Sequence, residues 1–65
     1  MTFYDKLDVL YSLEDNDKME ELQSAFIALF EDSTIEQQNE LYRLSYTYFF
    51  GAEFCMFFFE YLSTQ

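Results

Sequence analysis

The stretch Leu41–Leu62, LYRLSYTYFFGAEFCMFFFEYL, decides how this chain folds. It contains Gly51, the single glycine of a 65-residue sequence that has no proline. Leu41, Leu44, Tyr48, Ala52, Cys55, Phe59 and Leu62 recur every three or four residues, the period of a helix. Ser33 and Glu36 have the spacing of a capping box and mark where that helix begins. Unbroken over 34–62, it would hold about 29 residues and span roughly 43 Å at about 1.5 Å per residue. That exceeds the diameter of a compact domain of this size. Either two shorter helices lie along one long one, or the chain breaks or bends at Gly51, since glycine costs about 1 kcal/mol against alanine in a helix interior. The break is preferred. A β reading competes, because aromatic residues favour strands and Gly51-Ala52-Glu53 could close a hairpin between 44–50 and 54–62. The run Phe57-Phe58-Phe59 spoils strict alternation and β-branched residues are few, so the helix is the better reading.

Two more helices are expected upstream. In the first, over 2–13, Thr2 is placed to cap, with Asp5 three residues on, and Phe3, Leu7 and Leu10 form one apolar face. Glu14-Asp15-Asn16-Asp17 then reads as a turn. The second helix, over 18–30, has Asp17 as its expected N-cap and Glu20 three residues later. Met19, Leu22, Phe26 and Leu29 supply its stripe, widened by Ala25 and Phe30. Glu31-Asp32 would sit badly at the negative end of that helix and is read as leading into the next. The expected fold is an all-α bundle of three to four helices in one domain, 1–65, with a long or Gly51-bent C-terminal segment.

A domain this small buries only about 60% of the surface its unfolded chain exposes, so a disulfide, a metal or a partner is the usual supplement. Cys55 is the one cysteine and there is no histidine. An internal disulfide is thereby excluded, and the commonest metal ligand and general base is missing. The acidic turn lacks the glycine and bidentate Glu of an EF-hand loop. No phosphate-binding glycine loop or zinc spacing occurs, and Cys55, between Phe54 and Met56, has the setting of a small core hydrophobe. No catalytic residue, cofactor or metal is assigned, and the chain is read as a binding protein and not an enzyme. Met1-Thr2-Phe3-Tyr4-Asp5 lacks the basic and apolar regions of a signal peptide, and a lone cysteine suits a reducing compartment; a cytoplasmic location is expected. A membrane span is not expected, because Glu53 and Glu60 interrupt the apolar stretch and a span needs about 20 residues.

Thirteen acidic residues against three basic ones give a formal charge of −10. Residues 1–40 carry −9 of it and residues 41–65 only −1. A merely solvated helix face mixes Lys with Glu, because opposite charges at i,i+4 stabilise it and like charges do the reverse. Such one-sided charge repels nucleic acid and attracts a basic protein surface. The expected contacts are Asp15, Asp17, Glu20, Glu21, Glu31, Asp32, Glu36 and Glu40. In size and charge the chain is similar to small acidic proteins of phages and other mobile elements that mimic the phosphates of a duplex. That likeness is one of composition, with no family motif behind it. It implies an inhibitor or regulator occupying the basic site of a nucleic-acid-binding protein.

Nine Phe and six Tyr make the chain 23% aromatic, well above what acidic disordered chains carry. Aromatic residues surround the C-terminal segment on nearly every side, and a helix apolar all round needs burial on several sides. Tyr46, Phe50, Phe54, Phe57, Phe58 and Tyr61 are therefore expected to serve self-association or docking, with a homodimer as the simplest closed form. The alternative function is a structural subunit or adaptor docking through this segment. Peripheral membrane contact through the same phenylalanines is a third, weaker reading.

Overall fold

The computed structural model describes residues 2–47 and 49–64, and these form four helices with no strand among them. They are α1 (Phe3–Asp15), α2 (Met19–Glu31), α3 (Ile35–Tyr46) and α4 (Ala52–Ser63). The hairpin alternative is thereby excluded, and so is the unbroken helix: the longest dimension is 29 Å. Tyr48, a member of the expected stripe, lies outside the described residues.

The cap of α1 forms as its sequence implies. Thr2 Oγ1 accepts from the Asp5 amide at 3.2 Å, and the Asp5 carboxylate accepts from the Thr2 amide at 3.1 Å. At the other two starts the structure differs from the expectation. Asp17 belongs to the end of α1 and not to the start of α2. Its φ is +58°, its amide donates to Glu14 O at 3.1 Å, and the Lys18 amide donates to Leu13 O at 3.0 Å. This pair of bonds is a Schellman closure, which needs a left-handed residue at that place; aspartate tolerates the conformation better than most residues. Lys18 is left as the N-cap of α2, without a side-chain bond. Likewise α3 is capped by Thr34 with Gln37, not by Ser33 with Glu36. The Ser33 hydroxyl instead donates back to Leu29 O. Glu31 and Asp32 end α2, where the dipole disfavours them, and Gln38 Nε2 covers the nearby Phe30 carbonyl at 2.8 Å.

The turn between α3 and α4 is what makes the C-terminal third compact. Thr47 Oγ1 bonds the Arg43 and Leu44 carbonyls, and the Phe49 amide donates to Leu44 O at 3.2 Å. Gly51 then takes φ +93° and ψ 163°, a region open essentially to glycine alone. The chain reverses and α4 packs back against α2 and α3. Because the phase resets across this turn, α4 buries Phe54, Cys55 and Phe58 instead of the expected Cys55 and Phe59.

Phe26 is the centre of the core. It is 0% exposed and meets Phe54 at 4.8 Å, Phe58 at 4.9 Å and Phe50 at 6.0 Å between ring centroids. All three pairs are close to edge-to-face, the arrangement aromatic quadrupoles favour. Leu10 of α1, Leu41 of α3 and Leu22 of α2 itself close the core, and Ser45, the one buried polar residue among those described, donates to the Tyr42 carbonyl.

A Phe→Ala change in a core typically costs about 3–5 kcal/mol, against a total of about 3–10 kcal/mol for a domain of this length. Phe26→Ala is accordingly expected to lose its cooperative thermal transition in circular dichroism, whereas Phe26→Leu keeps one at lower temperature. The two left-handed residues predict opposite signs in urea unfolding. Gly51→Ala, with nothing within 4 Å of the added Cβ, loses about 1–3 kcal/mol from backbone strain alone. Asp17→Gly gains up to about 1 kcal/mol by relieving it.

Candidate functional site

The acidic side chains fall into an order that helix geometry dictates. α1 and α2 pair through the tight turn 16–18, so the end of α1 meets the start of α2, and Lys6 on the first turn of α1 reaches Asp32 beyond the end of α2, at 3.8 Å. The eight expected contacts are therefore not one patch. Asp15, Asp17, Glu20 and Glu21 surround the α1–α2 turn. Glu31, Asp32 and Glu36 surround the α2–α3 turn, with Glu40 one turn further along α3. About 18 Å of helix α2 separates the groups at about 1.5 Å per residue.

The link between them was not anticipated. Asp5, Asp8, Ser12 and Asp15 recur at three, four and three along α1 and are all exposed. They form an acidic stripe opposite the face that buries Leu7 and Leu10. Asp5 and Asp8 were legible in the sequence: their spacing on the solvent face mirrors the apolar spacing on the other.

All three basic residues are engaged, and all by expected contacts: Lys6 with Asp32, Lys18 with Glu21 at 4.0 Å, and Arg43 with Glu40. Glu31 accepts a hydrogen bond from the Tyr61 hydroxyl at 2.9 Å. Of the eight, Asp15, Asp17, Glu20 and Glu36 have no ion pair and no side-chain hydrogen bond among the described residues. These four project charge without compensation.

The aromatic contacts need correction. Phe50, Phe54 and Phe58 are 2%, 0% and 1% exposed and belong to the core. Phe57 and Tyr61 are half-buried against it. Tyr46 alone of the six is exposed, and its ring lies 5.0 Å from that of Phe59. Met56, one turn before Phe59 on the same face of α4, is 69% exposed. The outward patch is thus Tyr46, Met56 and Phe59. The shift from Phe58 to Phe59 follows from the phase reset at Gly51. A separate exposed ring, Phe49, leans on Tyr11 of α1 at 5.1 Å.

A third feature is a groove of about 410 Å³ between α1 and α2, with Val9, Leu10, Ala25, Ala28 and Leu29 along it and the Lys6–Asp32 pair at one end. It exists because Ala25 and Ala28 are too short to fill the space beside α1. Among the described residues, no group of three or more acidic or cysteine side chains is arranged to hold a metal ion, and no helix is long and apolar enough to cross a membrane. Cys55 is a buried free thiol.

Compared with known protein families, curated proteins and solved structures, the chain matches none. Its function is read from its side chains alone.

Tyr61 gives the acidic surface a titration of its own. Partial burial, then the hydrogen bond and the charge of Glu31, raise its phenol above the ordinary 10.0. A raised folded pKa means that the stabilisation by the neutral phenol is fully present below about pH 10 and is lost as pH climbs through the folded value. Tyr61→Phe is expected to cost less than about 1 kcal/mol near neutrality, the bond being partly solvated. The stability gap between the two proteins should narrow in urea titrations above pH 10, and a tyrosinate absorbance component titrating above the ordinary range should vanish in the variant.

Proposed function

We propose that this protein is a non-catalytic inhibitor or regulator that binds a basic protein through its acidic surface, occupying a site that would otherwise hold nucleic acid. The observation that carries the reading is the set of uncompensated carboxylates. Three ion pairs absorb every base the chain has, and the acids left over are spread over the α1 stripe and both turns. Self-repulsion of this kind opposes folding, and exposed ion pairs offset it by at most about 1 kcal/mol each. Two anionic ends joined by a stripe on rigid helices resemble a run of duplex phosphates in chemistry: fixed, negative and solvent-facing. Association of such a surface with a basic groove is steered by charge and weakens with salt. The reading assigns no catalytic residue and no cofactor.

A second reading, favoured by the exposure of Tyr46, Met56 and Phe59, is a structural subunit or adaptor that docks through this aromatic patch while the acids confer solubility. A homodimer, if formed, draws on the same three side chains, since Phe50, Phe54 and Phe58 are already spent on the core.

Affinity capture of the partner from the native host's lysate, repeated with two variants, separates these. The quadruple change Asp15→Asn, Asp17→Asn, Glu20→Gln and Glu36→Gln removes only unpaired charges. At about 0.2–1 kcal/mol for each of the four exposed charges, capture is expected to weaken by roughly fourfold to several hundredfold and to lose most of its salt dependence between about 50 and 200 mM. Unchanged capture would discard the acidic-surface reading. Loss of capture in Met56→Gln/Phe59→Gln, with the helical spectrum intact, would establish the adaptor instead.

A further inference from the structure

The groove between α1 and α2 has a shape and a charge that point to one kind of occupant. Its floor is apolar: Val9 and Leu10 from α1, Ala25, Ala28 and Leu29 from α2. A second, shallower depression adjoins it at Ala25, toward the α1–α2 turn, and is lined by Leu13, Glu20 and Glu21. End to end, from Lys6 to Leu13, the two lie along about 10 Å of helix, two turns, the distance that apolar residues at i, i+3 or i+4, and i+7 of a docked helix cover.

The rims carry the charge. Glu20 and Glu21 stand on the α2 side and Asp32 closes the far end, while the exposed Asp5 and Asp8 lie beyond the groove, on the acidic stripe of α1. Lys6 and Lys18 are each tied to one of these acids, so the flanks remain net negative. An acidic helix would be repelled along its whole length. A neutral apolar helix would fill the floor and leave the rims unanswered.

We propose that the α1–α2 groove receives an amphipathic cationic helix of the partner protein, its apolar side chains on Ala25 and Ala28 and its lysines or arginines against the rims. This rests on the acidic-surface reading for the sign of the partner's charge, and adds to it an apolar floor and a helical ligand. The groove assigns a role to Val9, which is 45% exposed, and to two alanines where bulkier residues would have packed α1 more fully.

The test uses the full chain, isotope-labelled, titrated by nuclear magnetic resonance with three synthetic peptides of about 14 residues, long enough for the i to i+7 contact. One peptide has leucines on a single helical face and lysines on its flanks. The second replaces lysine by glutamate. The third keeps the first one's composition with the leucines scrambled around the helix. The first should bind and move the amide signals of Val9, Ala25 and Ala28, and the other two should bind at least about tenfold more weakly. Val9→Gln and Ala28→Gln, both at exposed helix positions, should leave the helical spectrum unchanged and weaken the first peptide by a similar factor. Equal binding of the scrambled peptide, or no effect of either substitution, would overturn the groove and leave the acidic surface standing. Equal binding of the glutamate peptide would overturn both. Signals moving at Tyr46, Met56 and Phe59 instead would assign the helix to the aromatic patch, and absence of binding by the first peptide would also reject the groove.

Discussion

Phe26 touches three rings that reach it from two different pieces of chain, Phe50 from the α3–α4 turn and Phe54 and Phe58 from α4. Those contacts require α4 to run back over α2, and it can do so only if the chain turns sharply after α3. Gly51 supplies that turn, in a backbone region other residues avoid. The ring cluster and the turn therefore stand or fall together. Around them the rest is accommodated: Phe30 carries the edge-to-face contacts outward to Tyr42 at 5.4 Å and Tyr61 at 6.3 Å, and Tyr61 in turn hands its hydroxyl to Glu31. A chain too short for a large core and without a disulfide concentrates its burial in aromatic rings, each of which removes about 150–250 Å² from water.

Electrostatics favours the N-terminal end of each helix, where an acid stands in the first turn, and works against the C-terminal end of nearly every one. No basic residue stands in the last turn of α1, α2 or α4, and α3 has Arg43 alone. α2 ends on Glu31 and Asp32, at the pole where a cation would have been favourable. The two acids are answered from a distance, by Lys6 and by the Tyr61 hydroxyl. A sequence shaped for stability alone would place lysines at those ends. That it does not, while keeping effective N-terminal caps at Thr2 and Thr34, is the physical ground on which we propose that the charge serves a partner.

What the sequence disclosed, and what it withheld, divides along the same lines. The α-helical class, the first cap and the core stripe Leu22–Phe26–Leu29 were legible because periodicity and capping are local. The role of Asp17 was not, because an acidic residue between two helices serves as well for the end of one as for the start of the next; only the backbone bonds to Glu14 and Leu13 decide it. Ser33 with Glu36 was read as the cap of α3, but Thr34 with Gln37 has the same spacing one residue on, and local pattern cannot choose between adjacent registers. The aromatic residues misled for a different reason. Carrying the three-or-four spacing through Gly51 assumes one helix axis, and once the axis breaks, Phe58 turns inward and Phe59 outward. Exposure of Met56 follows from the same reset.

α1 is where packing and charge meet. It packs chiefly on α2, with Leu7 and Leu10 inward and Tyr11 against Phe50 at 6.2 Å, while its opposite face carries the acidic stripe. Its carboxylates repel one another and those of the adjoining turn, and one exposed pair, Lys6–Asp32, ties its first turn to the end of α2. Any cation bound along α1 would therefore act twice, neutralising the stripe and holding the helix to the body of the domain. Since a ligand that binds the folded chain alone stabilises it by mass action, the excess negative charge becomes a linkage: on the acidic-surface reading, the repulsion that weakens the free protein is released in the complex and adds to the affinity for a basic partner.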